Sequence, residues 1–598
     1  MNSRHPIAIA SVTLILAACG GTPPRPDSVA RNEYESFKPY VEKLIRHEMA
    51  ANTITGLSIA LVDDQRIVWA EGFGYADKEN HKPASAETIY RVGSISKLFT
   101  ATAAMQLAEQ KKLDLDRPLK DVLPEFSIRS RFDNSDPITP RNLMTHHSGL
   151  PRDHLKGMFT KDPEPFTELV RHVRASDTFY PPNHTLSYSN VGVTLLGHAI
   201  ENVGGEPFAE HLRHSVLEPL GMRTASFDPG VAKSDLMAKA YRRGELVDDL
   251  SLRDMPAGGL NASVVDLAHF LSMIFADGQA GTTQVLKPES VREMLTAQNT
   301  DVPLDFNFRN GLGWMLSTLG ASSIENAGPV AHHGGATLYF RAQLYALPEH
   351  KLGVIVLANS GSAGRTVDHV ATEALTLALE AKTGIKQAKR IEVAAADPPW
   401  PADKLQPYVG DYTTMIGHVR IRLDGGHLYA DALGRTFNLV PRRDDQLGIE
   451  YKLLGLMRID LGMLDTIGLT RRNVAGHDVL VANIGTQDML IGERIQPPKD
   501  LAPWLKRLGR YEIVNAGNDH TFVDRIALVE EGGLLCADLV VTDQPGPPQR
   551  IVLQPLSEHT AAMLGSLAEG GDTLRCATAD GGAEQCSISG YTLSRVAN

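Results

Sequence analysis

Apolar positions keep one rhythm along the chain up to about residue 390 and another after it. Glu33 to Ala50 reads as a helix, and "GLSIALVDDQRIVWAEGFGYAD" follows as two strands with a turn near Asp63 and Asp64. Leu98 to Ala108 is rich in Ala, Leu and Met, holds no Gly, Pro or charge, and at that length predicts a buried helix. A long middle region of helices and loops leads past "NGLGWML" to "RAQLYALPEHKLGVIVLAN", a hairpin turning at Pro348 to Lys351. A helix from about Thr366 to Lys382 closes the series. Strands at both ends of a unit, enclosed by helices and interrupted by a helical insert, predict an α/β domain with a mixed antiparallel sheet over residues 33–390.

"AAADPPWPADK" breaks that pattern and marks a linker at residues 391–401. Beyond it, strand-length alternation is punctuated by Gly and Asp, and the pattern repeats. Val409-Gly410-Asp411-Tyr412 matches Leu508-Gly509-Arg510-Tyr511, and "DGGHLYAD" (Asp424 to Asp431) matches "EGGLLCAD" (Glu531 to Asp538). Two such units fit two small all-β, lipocalin-like barrels at 402–497 and 500–598 better than a solenoid, which needs at least three shorter repeats. Their expected role is that of a rigid lid or spacer, with lipid or peptide binding in the barrel cup as the alternative.

The N-terminus reads as a processing signal. Arg4 precedes an apolar stretch from Ile7 to Ala18, too short to span a bilayer as a mature helix. It ends in Leu16-Ala17-Ala18-Cys19, which resembles the bacterial lipoprotein cleavage box. That resemblance implies that residues 1–18 are removed and that Cys19 becomes the lipidated first residue, a membrane anchor. With Gly20 rather than Asp following, it implies an outer-membrane lipoprotein facing the periplasm. Residues 19–32, containing "GGTPPRPDS", are then a flexible tether.

Net charge is −12 with no basic stripe, which argues against a nucleic-acid partner. The chain has no phosphate-binding G-x-x-x-x-G-K-[ST], no dinucleotide fingerprint and no G-x-S-x-G elbow. His211 and His214 have helical i, i+3 spacing, but without an H-E-x-x-H or a Cys cluster they read as a solvated helix face, and no metal or other cofactor is expected. After Cys19 only Cys536, Cys576 and Cys586 remain, too few for a disulfide scaffold. Cys576 and Cys586 flank "ATADGGAEQ", a hairpin signal around Asp580-Gly581-Gly582 that sets them opposite each other, so one disulfide is expected there.

The candidate chemistry begins at "GSISKLFTATAAMQLA", where Lys97 stands alone at the head of the uncharged run. A lysine entering a core is desolvated, which pushes its pKa down, and such lysines tend to be working residues. Ser94 lies one helical turn earlier on the same face, at a helix N-terminus that favours developing negative charge. This is the layout of a serine nucleophile activated by an amine. Such a serine needs a proton relay and oxyanion donors. Tyr188-Ser189-Asn190 stands just ahead of an amphipathic helix, and His333-Gly334-Gly335 lies on a predicted sheet-edge strand where glycines let a substrate backbone approach.

In this order, S-x-x-K, Y-x-N and H-x-G resemble the serine β-lactamase and penicillin-binding-protein superfamily, in its class C and D-alanyl-D-alanine carboxypeptidase branch. "LMTHHSGLP" (Leu143 to Pro151), "LEPLGM" (Leu217 to Met222), "PAGGLNASVVDLAHF" (Pro256 to Phe270), "GLGW" (Gly311 to Trp314) and "LYALPEHKLGVIVLAN" (Leu344 to Asn359) extend the likeness over about residues 33 to 385. The resemblance implies that Ser94 is the acyl-accepting nucleophile, that Lys97 eases its deprotonation, and that Tyr188 shuttles a proton to the leaving group. It further implies that Asn190 orients a substrate amide beside Gly335, and that the backbone N–H groups of Ser94 and Ala336 form the oxyanion hole. His333 replaces the lysine of most β-lactamases. With an ordinary pKa of roughly 6.5 it is mostly neutral near pH 7 and chargeable at pH 6, which weakens recognition of a substrate carboxylate. An H-x-G motif followed by two barrels is similar to the D-stereospecific aminopeptidase architecture. The expected activity is hydrolysis of a D-amino-acid peptide or amide, or of a small ester. Weak β-lactamase activity and a non-catalytic module binding peptidoglycan stem peptides are the alternatives.

Overall fold

A computed structural model describes residues 23–228, 230, 234–317, 324–387, 400–453, 457–459, 465–484, 487–542, 546–565, 571–578 and 584–596. Cys19 with its cleavage box, the bulk of the 391–401 linker and the Asp580-Gly581-Gly582 turn lie outside the described residues.

The first domain is built on a six-stranded antiparallel sheet, in the order Ala331–Ala336, Arg341–Leu347, Leu352–Ala358, Gly56–Asp63, Arg66–Asp77, Lys82–Pro83. Chain ends therefore meet at its centre, where Leu57 pairs with Ala358. Every residue of Gly56–Asp63 is buried, because both faces of the sheet are covered. Leu57, Ile59 and Leu61 point to a layer formed by the helices Lys38–Ala51 and Gly364–Thr383. Ala60 and Val62 point the other way, into the larger core that contains the helical insert, as alternation along a strand requires.

Two sequence expectations shift here. The first long helix begins at Lys38 rather than Glu33, because Pro39 has no N–H to give and fits only the first turn; Tyr34–Ser36 forms a separate 3-10 turn. The stretch expected as a tether is laid along the helix Gly364–Thr383 from Arg25 onward: Arg25 pairs with Glu373 at 3.1 Å, the Val29 N–H donates to Glu380 at 3.0 Å, and the Asn32 N–H to the Ala381 carbonyl at 2.9 Å.

Two eight-stranded antiparallel barrels follow. In the first, the strands between Gly410–Thr414 and Gln487–Ile495 close through pairing of Arg435–Pro441 with Leu447–Leu453, and Met457–Ile459 adds to the rim. In the second, Gly509–Ile513 pairs with Tyr591–Arg595 to complete the ring. The internal repeat has a structural meaning. Gly425 and Gly426 in one barrel, and Gly532 and Gly533 in the other, all take positive φ in two-residue hairpin turns, a conformation that costs glycine little. Tyr412 and Tyr511 are also equivalent, each donating its hydroxyl to the carbonyl four residues earlier, Tyr408 at 2.8 Å and Arg507 at 2.7 Å. Cys576 and Cys586 are paired neighbours in the second barrel and form a disulfide; Cys536 is free and buried.

Candidate active site

Gly93–Ile95 forms a 3-10 turn that feeds the helix Ser96–Glu109, which runs through the core with both flanks apolar. Ser94 sits on the turn and Lys97, only 2% exposed, in the first turn of the helix. The Lys97 Nζ lies 3.0 Å from Ser94 Oγ, 2.7 Å from Asn190 Oδ1 and 2.7 Å from the Ala257 carbonyl. Two of these three partners can only accept. They take two N–H bonds of the amine, and a neutral amine then has its lone pair left for the Ser94 hydroxyl. Burial pushes the Lys97 pKa down to about 7, against the opposing pull of Asp153.

Asn190 opens the helix Asn190–Gly204, capped by the Ser189 side chain, which accepts from the Gly192 N–H and donates to the Pro151 carbonyl at 2.6 Å. The amide of Asn190 is oriented by Asp153, whose Oδ1 accepts from Asn190 Nδ2 at 2.7 Å. That leaves the amide oxygen for Lys97. Tyr188, two residues before Asn190, has its ring 4.9 Å from the Lys97 Nζ and stacked on His146 at 4.1 Å. Burial raises its pKa to about 12, while a hydrogen bond with Ser94 pulls it the other way, so the phenol carries its proton at neutral pH. Further support comes from a buried pair beneath this loop: His147 Nε2 lies 2.7 Å from Asp305, whose other oxygen accepts from the Leu186 N–H at 2.7 Å.

The strand Ala331–Ala336 is the sheet edge facing the serine turn. Its approach depends on glycine. A Cβ on Gly335 would fall 1.9 Å from the Val92 carbonyl, and one on Gly93, which has φ +53°, 2.6 Å from the Ala336 nitrogen. The Ala336 N–H is thereby held beside the residue preceding Ser94, as an oxyanion pair requires. His333 is 2% exposed, and its Nδ1 donates to the Gly334 carbonyl at 2.6 Å. Burial and the nearby Lys97 push its pKa down to about 3, which corrects the expectation of a group that charges at pH 6. His211 is buried against Glu206 at 3.1 Å instead of solvated, and among the described residues no group of three or more metal-binding side chains occurs.

Ser94, Asn190, Ala257 and Ala336 open onto a cavity of about 850 Å³. Its far wall belongs to the second barrel, through His520, Phe522, Val541 and Thr542, so this barrel is more than a spacer. The barrel is fastened beside the pocket. Asp519 accepts from Lys156 at 2.7 Å and from the Gly157 N–H at 2.9 Å, Ser589 accepts from the Leu155 N–H at 2.9 Å, the His520 N–H donates to the Phe159 carbonyl at 2.8 Å, and Arg575 pairs with Asp177. Sequence reasoning did not single out Asp153, His146, the Ala257 carbonyl or these barrel residues. His146 lies within "LMTHHSGLP" and Asp153 two residues beyond its end, so that motif was the available signal. The barrel residues have none, since pairs such as Lys156 and Asp519 lie 363 positions apart.

The Beta-lactamase family profile matches residues 41–378. Protein flp of Staphylococcus aureus strain N315 is 25% identical over 345 residues, 56% of this chain and 66% of that protein, so the chain spans just under two thirds of this relative. A Beta-lactamase of Pseudomonas fluorescens is 24% identical over 350 residues, 54% of this chain and 93% of its own. The structure of the octameric penicillin-binding protein homologue from Pyrococcus abyssi matches with a TM-score of 0.51 and 26% identity, over 76% of this chain and 99% of that one. Since the profile spans more than half of the chain, this protein belongs to the beta-lactamase and penicillin-binding-protein superfamily of serine hydrolases.

Proposed function

We propose that the protein forms an acyl-enzyme on Ser94 and hydrolyses an amide or ester in the cell envelope, its substrate a D-amino-acid-containing peptide or amide or a small ester. The observation that carries this reading is the setting of Lys97: two pure acceptors and the Ser94 hydroxyl around a buried amine whose pKa is about 7. Near neutral pH such an amine takes the Ser94 proton as Oγ attacks the substrate carbonyl. The oxyanion is received by the N–H groups of Ser94 and Ala336. Tyr188, protonated at this pH, gives its proton to the leaving nitrogen or oxygen as the bond to the acyl carbon breaks, and Lys97 returns the captured proton to the phenolate. Water then attacks the acyl-enzyme through the reverse sequence, releasing Ser94.

A second reading, weak action on β-lactams, is favoured by Arg341. This guanidinium lines the cavity and donates to the Thr337 and Phe340 carbonyls at 2.6 and 2.8 Å, and among the described residues no carboxylate pairs with it. It offers a permanent cation for a substrate carboxylate where His333 offers none.

The test is a chromogenic panel of D- and L-aminoacyl anilides, short esters and a cephalosporin, together with labelling by a serine-directed phosphonate. Ser94→Ala is expected to lose both turnover and label with Tm nearly unchanged, since the Ser94 hydroxyl caps neither its 3-10 turn nor the helix that follows; residual turnover above about one per cent contradicts the nucleophile assignment. The lipid anchor on Cys19 and the outer-membrane, periplasm-facing position are part of the same proposal, supported by Leu16-Ala17-Ala18-Cys19. Cys19→Ala is expected to release the protein to the soluble fraction, and a variant that still pellets with membranes contradicts it.

A further inference from the structure

The interior of the second barrel holds a cavity of about 480 Å³, the size of a small-molecule site, with a mostly apolar lining that includes Ile526, Leu528, Leu539, Ile551, Leu553 and Leu574. A small barrel ordinarily fills its interior with side chains. This one does so only in part: Trp504 and Tyr511 are packed in its core cluster, and Trp504 donates its indole N–H to the Ser557 carbonyl at 3.0 Å. The empty part faces the catalytic domain. Five residues, Arg152, Asp153, Leu155, Phe522 and Val541, line both this cavity and the catalytic cavity that contains Ser94. They form the common wall between the two spaces. Asp153 within it is also the residue that orients Asn190 against Lys97, so the mouth of the barrel lies directly beside the acylation machinery.

We infer that the barrel cavity is a subsite for a hydrocarbon tail carried by the substrate, extending the catalytic pocket so that the preferred substrates are amides or esters bearing a medium-length apolar chain. This rests on the serine-hydrolase reading and names the substrate class within it. The occupant is taken to be the substrate's own tail rather than an independent ligand because the two cavities border each other at these five residues, and one of them, Asp153, orients Asn190 in the catalytic cavity. Apolar lining without strong directional partners selects for hydrophobic length and tolerates differences in chain shape. Of the polar groups in the lining, Asp572 accepts from the Thr573 N–H at 2.7 Å, Ser589 accepts from the Leu155 N–H at 2.9 Å, and Tyr591 donates to the Leu155 carbonyl at 3.3 Å.

The experiment measures kcat/KM on the full chain for p-nitrophenyl esters from acetate to decanoate, and for acetates of alcohols from methanol to octanol. The two series separate a tail on the acyl side from one on the leaving side. Burial of each added methylene is expected to raise kcat/KM roughly fourfold in one series, until the cavity is full. Ala537→Phe and, separately, Ile551→Trp fill the cavity from its lining and are expected to flatten the gradient beyond the shortest chains while acetate turnover stays within about twofold. Decanoate is expected to inhibit wild type competitively and to bind Ser94→Ala, with both effects lost in the filled variants. Acetate turnover without a chain-length gradient in either series, or a gradient that both filled variants retain, overturns the tail subsite and leaves the hydrolase reading standing. Absence of acetate turnover and of phosphonate labelling overturns both.

Discussion

The two barrels share a repeat, a hairpin turn and a buried tyrosine, yet they meet the catalytic domain in different ways. The first touches it at a remove from the nucleophile. Asn307 exchanges hydrogen bonds with Asp488 at 3.2 Å, and Leu304 packs on Val479, Val481 and Leu490. The second places Phe522, Val541 and His520 across the cavity from Ser94 and keeps an apolar hollow behind them. The difference teaches that the repeated features specify only how a barrel closes. The glycine pairs set the hairpin, and the tyrosine hydroxyl ties the first strand to the segment before it. What a barrel does is decided by the residues at its mouth, which the repeat leaves free to vary.

The largest way to separate the barrels is through the crosslink that only the second carries. Cys576→Ser with Cys586→Ser removes a bridge between residues 10 apart, and is expected to cost about 2–3 kcal/mol of that barrel's stability. Protection of the second barrel's amides should fall in hydrogen exchange, with the first barrel's unchanged. Equal loss in both barrels would mean that they unfold as one unit.

A smaller effect sharpens the functional side. Phe522 loses its ring from the catalytic wall in Phe522→Ala, which is expected to lower kcat/KM roughly tenfold for an apolar ester, mainly through KM. Leu480→Ala, an equally apolar truncation inside the first barrel, is expected to lower Tm and leave kcat/KM within about twofold. Matching kinetic losses in the two variants would erase the distinction between the barrels.

Much of this was legible in the sequence where the cause is local. A lysine heading an uncharged helix, a serine one turn before it, and Gly-Gly between strands are each fixed by short-range sterics or desolvation, and Ser94, Lys97, Tyr188 and Asn190 do meet. Legibility ended where distant segments decide. The neutrality of His333 down to about 3 comes from burial at a sheet edge against Lys97, neither of which its ordinary pKa records. The Ala257 carbonyl is backbone, so its residue type carries no sign of the contact with Lys97. Residues 23–32 have the composition of a tether, yet Arg25 and Val29 find Glu373 and Glu380, carboxylates on a helix far along the chain.

The central claim is that a neutral Lys97 removes the Ser94 proton while Tyr188 and His333 keep fixed protonation states. The direct test is the rate of Ser94 acylation, from the rate constant of the pre-steady-state burst or of phosphonate labelling with an uncharged reagent, followed from pH 5 to 9. With Lys97 near 7, Tyr188 near 12 and His333 near 3, the rate should rise along a single limb with its midpoint near 7 and then level off, with no second limb in that range. A rate that is flat across the range, or that falls as pH rises, would contradict the assignment of Lys97 as the base.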